Sequence, residues 1–273
     1  MRFLERLAAG RFAVALEITP PQRHLPKVLL RRARLLGDAA DAVNVIQRPD
    51  RQSSLAASLE LRAAGIDPVW HLAARGMSAA EVTAAAEAAR AGGIEQVLCV
   101  AGDHAANGAP GVTVREAIGL VRAAMPGVTI GATLNQYARD PARARRNLLP
   151  KLLAGATYVQ TQPTFDVGGL EAELAAVRPE AEGVAAVAMA MPLLTAEAGE
   201  RIAHRLGLEL PGRLRDILSA GDTEAAWAYF RETVARLVES PAVQGVAIMT
   251  FEMDPPPEMG ERIVAALEAA GAR

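Results

Sequence analysis

The sequence predicts an α/β fold, a single (β/α)8 TIM barrel with extra helices between its seventh and eighth strands. Eight short β-rich runs alternate with longer stretches of Ala, Leu, Arg and Glu at helical spacing, the pattern of βα units around a parallel sheet. The 273 residues suit one such barrel. Polar residues also recur at the carboxyl end of almost every run, although the run bodies are nearly all apolar, and that end is where barrels of this kind carry their chemistry.

The runs, in order, are Phe12 to Ile18, Ala42 to Ile46, Pro68 to Leu72 and Gln96 to Ala101, then Thr129 to Leu134, Tyr158 to Gln162, Val184 to Met191 and Gly245 to Thr250. Between them, Ser78-Ala79-Ala80-Glu81 and Thr113-Val114-Arg115-Glu116 read as capping boxes that satisfy the free amides of a helix's first turn. Ala91-Gly92-Gly93 and Ala154-Gly155-Ala156 read as helix stops with left-handed caps. The long interval 192–244 has room for two or three helices. No low-complexity linker interrupts the chain, so residues 1–273 are expected to form one domain.

Composition narrows the function. Hydrophobic residues make up 51% and charged residues 22%, which excludes a disordered or collagenous chain. With 29 basic and 31 acidic residues the net charge is −2, which leaves no electrostatic footprint for nucleic acid or an anionic membrane surface. A small-molecule ligand is the better expectation. No apolar run approaches the roughly 20 residues of a membrane span, and no signal-peptide core follows Met1, so the expected location is cytoplasmic. Cys99, the one cysteine, lies in an apolar run and reads as a buried core thiol. His24, His71, His104 and His204 show no metal-ligand spacing, so no metal is expected. Trp70 and Trp227 read as packing residues.

The strand ends supply the candidates: Glu17, Asn44 with Gln47, His71, Asp103, Asn135, Gln162, and Thr250 with Glu252. Glu17 stands inside an apolar strand and is followed by Thr19-Pro20-Pro21, an extended exit from the barrel. Burial raises a carboxyl pKa toward the range where it donates a proton at neutral pH. A Glu held by an Arg or a backbone amide would account for it equally well. Asp103, after Gly102, reads either as a mouth-facing carboxylate or as a turn cap. His71 reads either as a ligand hydrogen-bonder or as a core histidine. Lys151 follows Asn147 by four residues, on the same helix face, and could meet a phosphate. The chain has two lysines, Lys27 and Lys151. No G-x-G-x-x-G follows the first strand and no G-x-S-x-G occurs, so neither a Rossmann site nor a serine-hydrolase elbow is supported.

Five segments together resemble the methylenetetrahydrofolate reductases: Leu16-Glu17-Ile18-Thr19-Pro20-Pro21, Asp41-Ala42-Val43-Asn44-Val45, Leu98-Cys99-Val100-Ala101-Gly102-Asp103, Lys151-Leu152-Leu153-Ala154-Gly155-Ala156 and Thr161-Gln162-Pro163-Thr164-Phe165-Asp166. The resemblance runs from about residue 10 to the Gly245–Thr250 run. It implies a (β/α)8 barrel that reduces 5,10-methylenetetrahydrofolate to 5-methyltetrahydrofolate with hydride from NAD(P)H. Glu17 would be the general acid that opens the folate's five-membered ring, and Asp103 the carboxylate that stabilises the developing cation. Gln162 would hydrogen-bond the folate, and the strand-end residues Asn44, Asn135 and Thr250 are the further substrate-binding candidates. His71, Asn147, Lys151 and Ala154-Gly155-Ala156 would hold the ribityl and diphosphate portions of FAD.

The departures fall on the flavin side. Ile46 and Ala73 stand where the family has threonines, Thr133 and Pro150 where some members have tyrosine and arginine, and Ala247 where histidine is usual. The stretch His104 to Gly111 is short and rich in Gly and Ala. This thinning of the FAD shell favours hydride transfer from nicotinamide straight to folate over transfer through a flavin. A non-catalytic folate-binding paralogue, or a subunit that takes electrons from a partner chain, is the alternative of a different class. A buried Glu17 without a task would be costly and speaks against it.

Overall fold

The structure is a computed structural model that describes residues 2–102, 111–177 and 183–273. After helix α1 (Arg2–Ala8), strand β1 (Ala13–Ile18) leads into α2 (Pro26–Ala33), a 3-10 turn (Gly37–Ala39) and β2 (Ala42–Val45). Then follow α3 (Ser54–Ala63), β3 (Pro68–Ala73), α4 (Ala79–Ala91), β4 (Gln96–Val100), α5 (Val114–Ala124) and β5 (Thr129–Thr133). The rest is α6 (Pro141–Ala154), β6 (Tyr158–Pro163), α7 (Val167–Val177), β7 (Ala185–Ala190), α8 (Ala196–Leu206), α9 (Gly212–Ala220), α10 (Thr223–Glu239), β8 (Gly245–Met249) and α11 (Pro257–Ala269). All strand pairings are parallel, and β1 through β8 close in chain order into a barrel. The expected fold class is the observed one, with three helices, α8 to α10, in the long interval before β8.

Local sequence explains the element boundaries. Ser78 and Glu81 form a reciprocal capping box at α4, and Thr113 and Glu116 form another at α5, each satisfying amides that the helix leaves free. Gly93 and Gly155 take positive φ after their helices, which frees the chain to turn into the next strand.

The strands alternate between two environments. Val14, Leu16 and Ile18 of β1 pack outward in the main helix-covered core, while Ala13 and Ala15 join an inner cluster with Ala42, Val69, Leu98, Tyr158, Val187 and Ala247. That inner cluster fills the lower barrel. α1 closes the floor with Phe3, whose ring stands edge-on to that of Tyr158 with centroids 6.2 Å apart. Cys99 is buried, and burial pushes its thiol up to about 12. Trp70 and Trp227 are both packed in the helix-facing core. Above that apolar cluster, the inward positions nearest the mouth, Glu17, Asn44, His71 and Gln160, carry polar side chains.

Candidate active site

β1 turns Glu17 inward at the last interior layer before the mouth. The side chain is enclosed, with the residue 8% exposed. Gln160, across the barrel on β6, donates from Nε2 to Glu17 Oε2 at 2.9 Å. Asn44, the Cα partner of Glu17 on β2, donates from Nδ2 to Gln160 Oε1 at 2.7 Å. Burial raises the Glu17 carboxyl from 4.5 to about 7, and it outweighs the Gln160 bond, the positive charge of Arg205 and the Asn44 amide, which all favour the ionised form. At neutral pH the group is therefore poised between acid and carboxylate, the range useful for general acid catalysis.

Above Glu17 opens a cleft of about 650 Å³. Its walls come from the ends of β1 and β8, the loop after β2 and helix α8, including Ile46, Arg48, Arg201, Arg205 and Thr250. Thr250 donates its hydroxyl to the Glu252 carbonyl at 2.8 Å, which pins the loop leaving β8. The guanidinium of Arg201 lies 5.6 Å from the centre of the Phe251 ring. The lining thus combines apolar side chains such as Ile46 and Met249 with the cations Arg48, Arg201 and Arg205 and the carboxylates Glu200 and Glu252.

A second cleft, of about 400 Å³, lies between the end of β5 and α6. Asn135, Arg139, Arg143, Asn147 and Lys151 line it together with Thr133. Lys151 reaches along α6 and donates to the Thr133 carbonyl at 3.0 Å. Partial burial lowers its pKa. Three cationic side chains and two amides in one groove suit an anionic group such as a diphosphate.

The chain matches the Methylenetetrahydrofolate reductase family over residues 2–259. It belongs to that family. Among solved structures it resembles a Clostridium thermocellum protein described as uncharacterised and as binding two copies of 5-methyl-5,6,7,8-tetrahydrofolic acid. That likeness has a TM-score of 0.74 at 13% identity and covers 99% of this chain and 100% of that one. A phosphonopyruvate hydrolase matches with a TM-score of 0.54 at 13% identity, over 99% of this chain and 83% of that one. The same type of enzyme with oxalate and Mg²⁺ gives 0.56 at 14%, over 98% and 86%. At these identities the structural likenesses establish the barrel alone. No curated protein matches the chain.

Membership in the methylenetetrahydrofolate reductase family can be set beside where the structure puts each expected residue. Glu17 and Thr250 meet in the first cleft. Asn147 and Lys151 meet in the second, and Asn135 joins them rather than the Glu17 cleft. The Asn135 Oδ1 accepts the Tyr137 amide at 3.0 Å, so it caps a turn. Asn44 is 1% exposed and its amide is bonded to Gln160, so it reaches a ligand only through its neighbours. Gln162 ends β6 half-buried, with its amide N–H donating to Gln136 Oε1 at 2.9 Å and its carbonyl accepting from Gln136 Nε2 at 2.8 Å. His71 is buried and neutral, its pKa lowered to about 3 by burial, and its Nε2 has no hydrogen-bond partner among the described residues.

Ala154-Gly155-Ala156 require a correction. They connect the end of α6 to the start of β6, and the next amide, Thr157, donates to Ile130 near the start of β5. An αβ connection lies at the end of the barrel opposite the mouth, so this triplet forms a turn away from both clefts. Asp103 lies outside the described residues. Gln160 and Arg205, which act directly on Glu17, were not among the residues expected from the sequence.

Proposed function

We propose that the chain reduces 5,10-methylenetetrahydrofolate to 5-methyltetrahydrofolate with hydride from NAD(P)H, with Glu17 as the general acid. The observation that carries this reading is a carboxyl raised to about 7 by burial, at the floor of the mouth cleft in a chain of this family. Glu17 gives its proton to N10 of the folate, the bond from N10 to the bridging carbon breaks, and a 5-iminium cation results. Hydride from the nicotinamide adds to the iminium carbon and makes the 5-methyl group, releasing oxidised dinucleotide. General acid catalysis of this kind is worth about 10²- to 10⁴-fold in rate. Gln162, near the end of β6, is proposed to bond the pterin, and Asp103 to stabilise the cation.

The family implies FAD, and the residues here fit it in part. The cations of the second cleft suit the diphosphate of any dinucleotide. A flavin ring needs hydrogen-bonding partners at its polar edge, and Ile46 and Ala73, past the ends of β2 and at the end of β3, have no polar side-chain atom to offer. No step of the reaction as proposed runs through FAD; the dinucleotide held by Lys151, Arg139 and Arg143 is the nicotinamide itself. The cytoplasm is the proposed location.

The test is the absorption of the purified protein from 300 to 550 nm, followed by NADH oxidation with methylenetetrahydrofolate, with and without added FAD. A colourless, active protein is the expected result. A flavin spectrum, or activity only with FAD, would replace direct transfer by flavin-mediated transfer. Folate binding without NAD(P)H oxidation under either condition would make the chain a binding protein.

A further inference from the structure

We propose that Gln160 is a positioning residue, locked by Asn44 into the one orientation that leaves the transferable proton of Glu17 on the oxygen free to meet a ligand. An amide side chain has a donor end and an acceptor end. The acceptor end of Gln160, Oε1, takes the Asn44 Nδ2 hydrogen at 2.7 Å, so its Nε2 is the end that meets Glu17 Oε2, at 2.9 Å. A donor on Oε2 requires that oxygen to accept, and a protonated carboxyl then carries its hydrogen on Oε1. The Glu17 residue lines the mouth cleft, whereas Asn44 and Gln160 are 1% and 3% exposed. Gln160 thus holds Oε2, while Asn44, which fixes the Gln160 amide, also favours the ionised form of Glu17 from its own side chain. Because both amides are enclosed, water cannot substitute for either bond, and an unpaired amide would be costly there.

The relay also tunes the acid. A hydrogen bond to the ionised form lowers a carboxyl pKa, so Gln160 offsets part of the desolvation of Glu17. Other charges around Glu17 come from α8 (Glu200, Arg201, His204 and Arg205), from Arg48 after β2 and from Arg32 on α2, with Glu252 after β8. They are common to the wild type and Gln160→Met, so a difference between those two proteins isolates the amide chain.

This inference rests on the reductase reading for its chemistry, but its geometry can be tested apart from it. Full-length protein labelled with ¹³C at Glu carboxyls is titrated by NMR, the Glu17 resonance being assigned by its loss in Glu17→Gln. Gln160→Met, close to glutamine in volume, is expected to raise the Glu17 pKa by about one pH unit. The falling alkaline limb of kcat/KM should move up by the same amount, while kcat on the acid plateau drops about tenfold. Asn44→Asp, at a pH where the new carboxyl is ionised and so can only accept, should turn the Gln160 amide around, draw the Glu17 proton onto Oε2 and abolish reduction. A Glu17 titration unmoved in Gln160→Met, or a fully active Asn44→Asp, would overturn the proposal. A titration that moves as expected in a protein showing no reductase activity in any form would leave the relay standing and overturn the proposed function instead.

Discussion

Arg273, beyond α11, donates from Nη2 to Oδ2 of Asp41 at 2.5 Å and so ties the end of the last helix to the entrance of β2. The same oxygen accepts the Val14 amide at 2.9 Å, and Arg6 Nε approaches it at 3.5 Å. One buried carboxylate therefore joins α1, β1, β2 and the segment after α11 at the bottom of the barrel.

Removing that carboxylate should leave the Val14 amide without its side-chain acceptor and take from Arg273 a carboxylate partner, while its bonds to the Ala39 and Ala272 carbonyls remain. Asp41→Ala is expected to destabilise the fold by about 3 kcal/mol, in the range seen when one partner of a buried pair is deleted. A fall in the urea midpoint without a change in slope would show it; a midpoint within error of wild type would contradict it.

Glu17→Gln should cost about 10²- to 10⁴-fold in kcat while leaving folate binding nearly intact, because glutamine keeps the shape and loses the acid. Single-turnover reduction measured beside equilibrium folate binding separates the two effects. Full activity in this variant would exclude Glu17 as the proton donor.

The raised Glu17 pKa also has a sign in stability. Between about 4.5 and about 7 the folded chain keeps a proton that the unfolded chain has released, so the stability this group allows is fully present below 4.5 and is lost as pH rises through about 7. Summed over that interval the loss is about 3 kcal/mol. Denaturation of wild type and Glu17→Gln at pH 5 and pH 8 should show the variant gaining relative stability at the higher pH. Parallel curves would refute the assignment.

Lys151→Ala should weaken nicotinamide dinucleotide binding about tenfold, the loss expected of one charge-assisted hydrogen bond, with little change in affinity for folate. Calorimetric titration with NADH and then with folate distinguishes these. Equal losses for both ligands would mean that the two clefts do not divide the ligands as proposed.

Gly131 faces the ring of Tyr158, and a Cβ at position 131 would stand 2.2 Å from the ring's Cζ. Tyr158 is fully buried and has no room to withdraw. Gly131→Ala should therefore cost about 1–3 kcal/mol by overpacking, visible as a lower melting temperature.

The barrel was legible because its strands are short apolar runs closed by turn residues, and because Ser78 with Glu81 and Thr113 with Glu116 announce their helices by local chemistry alone. Glu17 was legible for a related reason, as a single charge in an apolar strand. Gln160 was not, since the polar residue that draws attention in β6 is Gln162, near the strand's carboxyl end. Its period-two spacing from Tyr158 and Gln162 places Gln160 on the interior face, and that was the available signal. Asn44 was read as a ligand contact because a strand-end position does not reveal which neighbour across the barrel will take its amide. That Ala154-Gly155-Ala156 lie away from both clefts was not legible from the resemblance, because a resemblance transfers residues without transferring the end of the barrel they occupy, although the strand beginning at Tyr158 already fixes it.

Among the described residues, Phe3 and Tyr158 close the lower end of the barrel. Ala13, Ala15 and Ala42 beneath Glu17 are shut off from solvent, so no water approaches the carboxyl from below. Under the proposed reaction, an acid that has given up its proton is resupplied through the doorway where the product still stands. Product departure then becomes the gate for the next turnover, and the enzyme resets only once it has been emptied.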